Sequence, residues 1–389
     1  QALAKWRPSK QAGLTPKDLN SLSNALCSAK RPLIVTSYLG RQTAAVERLV
    51  QLADLIGIAV CEVNPQYVNF PGDHAMHVGY RRNTLIDEAD LIWMLDVDVP
   101  WIVSKVQPAQ TTRIFHLDID TLKASMGFWH FPAEQSWQAD SLAVLDQLTQ
   151  LPWRVEENAK RERIDWIRSS QVKLALPDMP VPAKDGINIQ QLSSAIAQLI
   201  NEQTVVAFEA PTATDRILNA LRMRKPGSYF ANGGSGLGWS INAAIGIKLA
   251  KPDADVITIV GDGSYVFGVP SSTYWVAATY QVPQLTIVIN NGGWNAPKAS
   301  TLLVHPQGLA QQSDQFWITS TRNSRLADIA AAAGDAERRV EVEIRVAGVA
   351  DVVAVGRRQV VASGGSGTGA RSGSDGIGCN GKFCYRTRG

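Results

Sequence analysis

The sequence predicts an α/β protein built from two doubly wound parallel-sheet domains. Short apolar runs rich in Val and Ile alternate with helical patterns or long connections, as in PLIVTS (32–37), LIWML (91–95), DVITIV (255–260) and QLTIVI (284–289). The last two runs stop at polar clusters, as buried parallel strands do where their carboxyl ends carry a site. Between the halves, residues 151–186 turn charged and helical and then Pro-rich (LPDMPVPAKDG), which reads as an interdomain linker.

In chain order, residues 1–13 are a polar, irregular lead-in. Thr15-Pro16 is an N-cap and first-turn pair that opens a helix to about Ala29. Strands are expected at Pro32–Ser37, Ile58–Val63, Leu91–Leu95 and Arg113–Leu117, with a helix over Thr43–Leu55 ended by Gly57. Asp118 and Asp120 follow the last of these strands and are expected to end it, not to do acid–base work. This first domain spans residues 1–150. The second, 187–336, starts with a helix to about Ile200. It continues with a strand at Thr204–Phe208, a loop Glu209–Thr214, a glycine-rich loop Asn232–Gly238 without a convincing strand before it, and a helix Ser240–Leu249. Tyr274 and Trp275 lie on a later helix and are expected to pack rather than to line a pocket.

Composition sets bounds. Hydrophobic residues are 45% and the net charge is +3 without a basic patch, so nucleic acid and membrane surfaces are not expected partners. No run has transmembrane length. Four cysteines form neither a disulfide framework nor a zinc spacing, and His74 and His77 sit in a Pro/Gly loop without an acidic or thiol set, so no metal is expected there. The chain starts at Gln1 without Met or a signal-peptide pattern and reads as an internal fragment; a cytoplasmic location is expected. Residues 337–389 turn Arg- and Gly-rich, with no clear strand or helix. They read as an aberrant, frameshift-like tail, disordered beyond about residue 360.

The chemistry concentrates in Asp255–Asn291. Gly261-Asp262-Gly263-Ser264 closes one apolar run and Asn290-Asn291 closes the next. If the strands are neighbours, a carboxylate and a carboxamide meet at one sheet edge, an oxygen set that suits Mg²⁺ together with a substrate phosphate. Gly261 and Gly263 let the backbone turn sharply and approach that phosphate. Thr212 stands where a helix N-terminus could meet an anion.

Gly-Asp-Gly, the 26 residues Ser264 to Ile289, and then Asn-Asn resemble the diphosphate-and-magnesium signature of thiamine diphosphate enzymes. Phe208-Glu209-Ala210-Pro211-Thr212, Asn232–Trp239 and Ala243-Ala244-Ile245-Gly246 extend the resemblance to the acetolactate synthase and benzoylformate decarboxylase group, over residues of about 14–335. The resemblance implies that the first domain is the central Rossmann-like domain of that group and the second its thiamine diphosphate-binding domain. It implies that Asp262, Asn291 and the Gly293 carbonyl ligate Mg²⁺, and that Thr212, Gly263 and Ser264 hold diphosphate. Ser235, Gly236 and Leu237 would grip the aminopyrimidine ring, with Leu237 pressed between the two rings of the cofactor.

The implied function is a thiamine diphosphate- and Mg²⁺-dependent 2-oxo acid decarboxylase or carboligase, acetolactate synthase-like, acting on a small 2-oxo acid. A benzoylformate decarboxylase-like lyase and a catalytically silent binding or regulatory homologue stay open. The activating glutamate of the family lies on an N-terminal pyrimidine-binding domain, so no catalytic residue is assigned here and the chain alone is expected to be inactive. The full-length form is expected to be a homodimer or homotetramer. In acetolactate synthases the central domain binds FAD; Ser37–Arg41 and Leu95–Trp101 do not match the flavin-binding segments, so FAD is not expected. Trp294, Asn295, Lys298 and His305 follow the metal motif, and no carboxylate stands among them.

Overall fold

Thr15 and Pro16 open the first helix as their chemistry requires. The Thr15 hydroxyl accepts from the Asp18 N–H, Pro16 takes the first helical position, and α1 runs Pro16–Ser28. The structure, a computed structural model, describes residues 12–81, 83–127, 131–179, 188–234, 236–319 and 325–333, and the backbone of short strands between 344 and 386. The chain divides into two units, Gln1–Pro177 with Arg222–Ser228, and Asp178–Leu221 with Tyr229–Gly389.

In the first unit α1 is followed by β1 (Pro32–Thr36), α2 (Thr43–Ile56), β2 (Ala59–Glu62), β3 (Leu91–Leu95), β4 (Arg113–Asp118), β5 (Gln135–Gln138), α3 (Ser141–Thr149) and α4 (Glu157–Leu174). All pairings are parallel, in the order β2-β1-β3-β4-β5. Every residue of β1 and β3 is buried, which is why both read as unbroken apolar runs. Gly57 ends α2 in the left-handed conformation at φ 67°. Trp93, Trp101, Phe70 and Phe115 fill the core.

Two features of this unit escape the sequence. Strand β5 alternates half-buried and exposed residues, and its Gln-Ser-Trp-Gln composition hides it among loops. Helix α4 lies within the stretch read as a linker, yet its Arg163, Ile167 and Ser170 are buried. The Arg163 guanidinium donates to the carbonyls of Leu26, Cys27, Ala29 and Ile56, at the ends of α1 and α2. A cation there meets both the unpaired carbonyls and the negative ends of two helices. Residues 157–174 therefore belong to the body of the first unit.

The second unit contains α5 (Ile189–Ala197), β6 (Thr204–Glu209), α6 (Thr214–Leu221), β7 (Tyr229–Ala231), α7 (Trp239–Ala250), β8 (Asp255–Gly261), α8 (Asp262–Phe267), α9 (Pro270–Thr279) and β9 (Leu285–Ile289). After them come α10 (Asn295–Val304), α11 (Leu309–Ser313), α12 (Leu326–Ala332) and the short strands β10 (Ile344–Val346), β11 (Val349–Val352) and β12 (Ala354–Val355). The sheet order is β12-β9-β8-β6-β7. Strands β8 and β9 are parallel neighbours from Ile257↔Leu285 to Gly261↔Ile289, so their polar ends emerge at the same edge. The glycine-rich loop does follow a strand, β7, whose three residues are too few to show a period.

The expectation of no strand beyond residue 336 is corrected by β10–β12. The last of these adds to the sheet antiparallel to β9, through Ala354↔Ile287 and Val355↔Thr286. Their Val-rich composition suits strands. An antiparallel pair, β13 (Ile377–Asn380) and β14 (Phe383–Arg386), follows, and the rest of the stretch expected to be disordered lies outside the described residues. Among the described residues no helix is long and apolar enough to cross a membrane.

Candidate functional site

The site lies beyond the carboxyl ends of β6, β8 and β9. Asp262 follows β8, is 4% exposed and starts the short helix α8. Its Oδ2 accepts the Gly293 N–H at 2.8 Å. Gly292 and Gly293 follow β9 with φ of 82° and 148°, a path that a side chain would strain. Asn290 supports this turn from within, its Oδ1 accepting from the Gly292 N–H at 3.1 Å.

Asn291 closes the arrangement. Its Oδ1 accepts from Asn295 Nδ2 at 2.8 Å. The same atom position lies 2.7 Å from the Gly293 carbonyl oxygen and 3.3 Å from Asp262 Oδ1. A carboxylate oxygen, a carbonyl oxygen and one end of the Asn291 carboxamide thus converge, and an amide oxygen at that end would make three acceptors. Acceptors this close repel one another unless the amide turns its NH₂ toward them or a cation sits among them. An all-oxygen set with one full charge fits a hard divalent cation. Among the described residues no group of three or more His, Cys, Asp and Glu could hold a metal, so this mixed set is the candidate.

Thr212 lies in the turn Pro211–Ala213 after β6, and its Oγ1 is 3.4 Å from Asn291 Nδ2. Gly263 and Ser264 are buried in the first turn of α8. A Cβ on Gly263 would stand 2.5 Å from Trp294 Cδ1 and Nε1, so the indole lies directly over that backbone. The main-chain N–H of Trp294 donates to the Ile318 carbonyl at 2.9 Å, which ties down the start of α10. Thr212, Asp262, Asn291 and Gly293 are therefore brought together, with Gly263 and Ser264 next to them. His305 caps the end of α10 and is exposed; Lys298 pairs with Asp314 at 3.6 Å and lies over the Phe316 ring.

The glycine-rich loop enters α7. Ser235 falls outside the described residues. Leu237 is 43% exposed, unlike a core leucine. Gly236 O accepts from Asn232 Nδ2 at 2.5 Å, and Gly238 O accepts from Asn242 Nδ2 at 2.9 Å. Gly238 has φ 87°, and a Cβ there would strike the Gly268 N at 2.5 Å.

Sequence reasoning gave no role to Glu209. It ends β6, is 8% exposed, and accepts the Gly238 N–H at Oε1 (2.8 Å) and the Ser240 N–H at Oε2 (2.7 Å). An acidic residue closing an apolar run was the signal available. Asn242 was also passed over; it joins Gly238 and Gly268 and accepts from Thr273 Oγ1. Trp275, expected to pack, is 61% exposed, whereas Tyr274 beside it is buried.

A second cleft, of about 330 Å³, lies in the first unit where Tyr38, Asp98 and Asp118 follow or end β1, β3 and β4. The ammonium of Lys123 donates to Tyr38 Oη (2.5 Å), Asp98 Oδ1 (2.7 Å) and Asp118 Oδ2 (2.9 Å), using all three of its protons. Tyr38 donates to Asp118, and burial followed by the Asp118 charge pushes its phenol far above the usual range. Arg41 pairs with Asp96 at 3.2 Å; burial pushes the Asp96 carboxyl up to about 6 against the pull of that guanidinium. Asp118 does end a strand, as expected, and is fully buried by this network. His77 pairs with Glu62 at 3.2 Å.

Residues 213–365 match the family model for the C-terminal TPP binding domain of thiamine pyrophosphate enzymes, a match that runs past residue 336. Benzoylformate decarboxylase of Pseudomonas aeruginosa is 35% identical over 124 residues, 31% of this chain and 23% of that protein. A probable acetolactate synthase large subunit of Methanococcus aeolicus is 25% identical over 301 residues, 71% of this chain and 49% of the relative. The fold matches the thiamine diphosphate-dependent 4-hydroxybenzoylformate decarboxylase of Rhodococcus jostii with a TM-score of 0.69 at 21% identity, over 86% of this chain and 60% of that one. The chain is thus a relative of the thiamine diphosphate-dependent enzymes. Its homologues are acetolactate synthase and benzoylformate decarboxylase, and it spans about half the length of the acetolactate synthases it matches.

Proposed function

We propose that the second unit holds magnesium thiamine diphosphate and that the chain serves the decarboxylation or carboligation of a small 2-oxo acid. The observation that carries this reading is the convergence of Asp262 Oδ1, one end of the Asn291 carboxamide and the Gly293 carbonyl within the family-matched segment. These oxygens would take three positions of an octahedral Mg²⁺, leaving the others to diphosphate and water. Thr212, Gly263 and Ser264 would hold the diphosphate, and Gly236 and Leu237 the ring end. When bound, the cofactor supplies an electron sink for the carbon that loses carbon dioxide. The chain's own residues bind and orient it, and the indole of Trp294 shields the Gly263 turn from water.

Acetolactate synthase-like chemistry is the leading reading, since those relatives match over most of the chain. The higher identity of the shorter match favours a benzoylformate decarboxylase-like lyase as the second. We infer that the chain by itself binds the cofactor weakly and does not turn over, because in the family the activating glutamate belongs to a pyrimidine-binding domain. Exposed Leu237, Val266, Phe267, Val269 and Trp275 support a homodimeric or homotetrameric working form. The first unit is not a flavin site in this reading. Lys123 and Arg41 are already paired, and carboxylates line the cleft that a dinucleotide phosphate would have to enter.

Calorimetric titration with thiamine diphosphate, with and without Mg²⁺, tests the proposal. Mg²⁺-dependent binding that Asp262→Ala abolishes is the expected result. Binding by wild type that is indifferent to both Mg²⁺ and Asp262 would overturn it.

A further inference from the structure

Glu209 lies at the end of β6, away from the metal-site residues in sequence, yet it holds the glycine-rich loop. Both carboxylate oxygens accept main-chain N–H groups, from Gly238 and from Ser240, on either side of the first residue of α7. The first amides of a helix have no partner within it, and a buried negative charge there also meets the positive end of the helix. Bonds of this charge-assisted kind are shorter and stronger than neutral ones. The loop is clamped elsewhere too. Asn232 holds the Gly236 carbonyl and Asn242 holds the Gly238 carbonyl. Between these clamps Leu237 projects with 43% of its surface exposed.

We propose that Glu209 is a positioning residue for the ring end of the cofactor: by fixing Gly238 and Ser240 it sets where Leu237 stands. The proposal rests on the cofactor reading above and divides the site in two. Asp262, Asn291 and Gly293 serve the diphosphate end, and Glu209, acting through the loop, serves the heterocyclic end. Glu209→Gln keeps the shape, removes the charge and leaves one of the two amides facing an NH₂ group. A general structural role would weaken both ends alike or unfold the unit. A positioning role weakens only ligands that carry the rings.

The test compares two ligands on the full chain in excess Mg²⁺, thiamine diphosphate and inorganic pyrophosphate, for wild type and Glu209→Gln. Hydrogen exchange at the Gly238 and Ser240 amides is measured alongside without ligand. Thiamine diphosphate is expected to bind about tenfold more weakly to the variant and pyrophosphate to change less than twofold, with the two amides exchanging at least tenfold faster. Equal weakening of both ligands, or none of either, would overturn the assignment. If wild type binds neither ligand, the cofactor reading fails by itself. The exchange rates then still decide whether Glu209 fixes the loop, and unchanged rates at both amides would refute it.

Discussion

The amide of Gly293 donates to the carboxylate of Asp262 at 2.8 Å, tying the turn after β9 to the end of β8. This bond places the Gly293 carbonyl beside the Asn291 side chain, so Asp262 both contributes an oxygen to the cluster and sets the position of another.

The two roles separate in Asp262→Asn. An asparagine can still accept from Gly293 through its carbonyl oxygen, but the only full negative charge of the cluster is lost. Mg²⁺ affinity should fall about 100-fold, equivalent to about 3 kcal/mol, while the melting temperature moves by no more than a few degrees. Mg²⁺ titration and thermal unfolding of one sample check both parts.

Gly263 and Trp294 should be coupled. The Cβ of Gly263→Ala would lie 2.5 Å from the indole ring. Overpacking of this kind costs about 1–3 kcal/mol. Adding Trp294→Ala should recover most of that cost, because the collision disappears with the ring. A double-mutant cycle in denaturant measures it, and strictly additive losses would show that the ring and the turn are independent.

Arg163 is expected to be the most costly single loss in the first unit. Arg163→Met leaves buried carbonyls of α1 and α2 unpaired, at about 1–3 kcal/mol for each group. Destabilisation of at least about 3 kcal/mol should appear in denaturant unfolding. Arg163→Lys should rescue little of it, since one ammonium cannot span the carbonyls of Leu26, Cys27, Ala29 and Ile56.

Asp96 predicts a pH dependence. Burial raises its carboxyl to about 6 from an ordinary value of 3.8. The folded unit therefore binds a proton that the unfolded chain has released. Its contribution is fully present below about pH 4 and is lost as pH rises through about 6. The loss should amount to about 2–3 kcal/mol. Denaturant unfolding of wild type and Asp96→Asn between pH 4 and 7 should show the slope in wild type and a flatter profile in the variant.

Much of this was legible in the residues. The strands of both units announced themselves because buried parallel strands carry no polar alternation, and DVITIV and QLTIVI stopped where the site begins. The meeting of Asp262 and Asn291 followed from those strands being neighbours, whereas Gly293 was reached only through the family resemblance. Other features needed the third dimension. Strand β5 has no apolar run, and β7 is three residues long. Helix α4 reads as a charged linker until Arg163 is seen to be buried. Glu209 acquires its role only when the fold brings Gly238 and Ser240 to it. Trp275 looked like a packing residue because aromatic character does not say which face of α9 is covered.

We propose that a divalent cation sits among the side chains of Asp262 and Asn291 and the Gly293 carbonyl. Anomalous scattering from crystals of the chain grown with Mn²⁺ and thiamine diphosphate tests it most directly. One strong peak is expected about 2.1 Å from each of the three oxygens. A peak elsewhere, or no peak with the Asn291 NH₂ turned toward Gly293 O and Asp262, would contradict it.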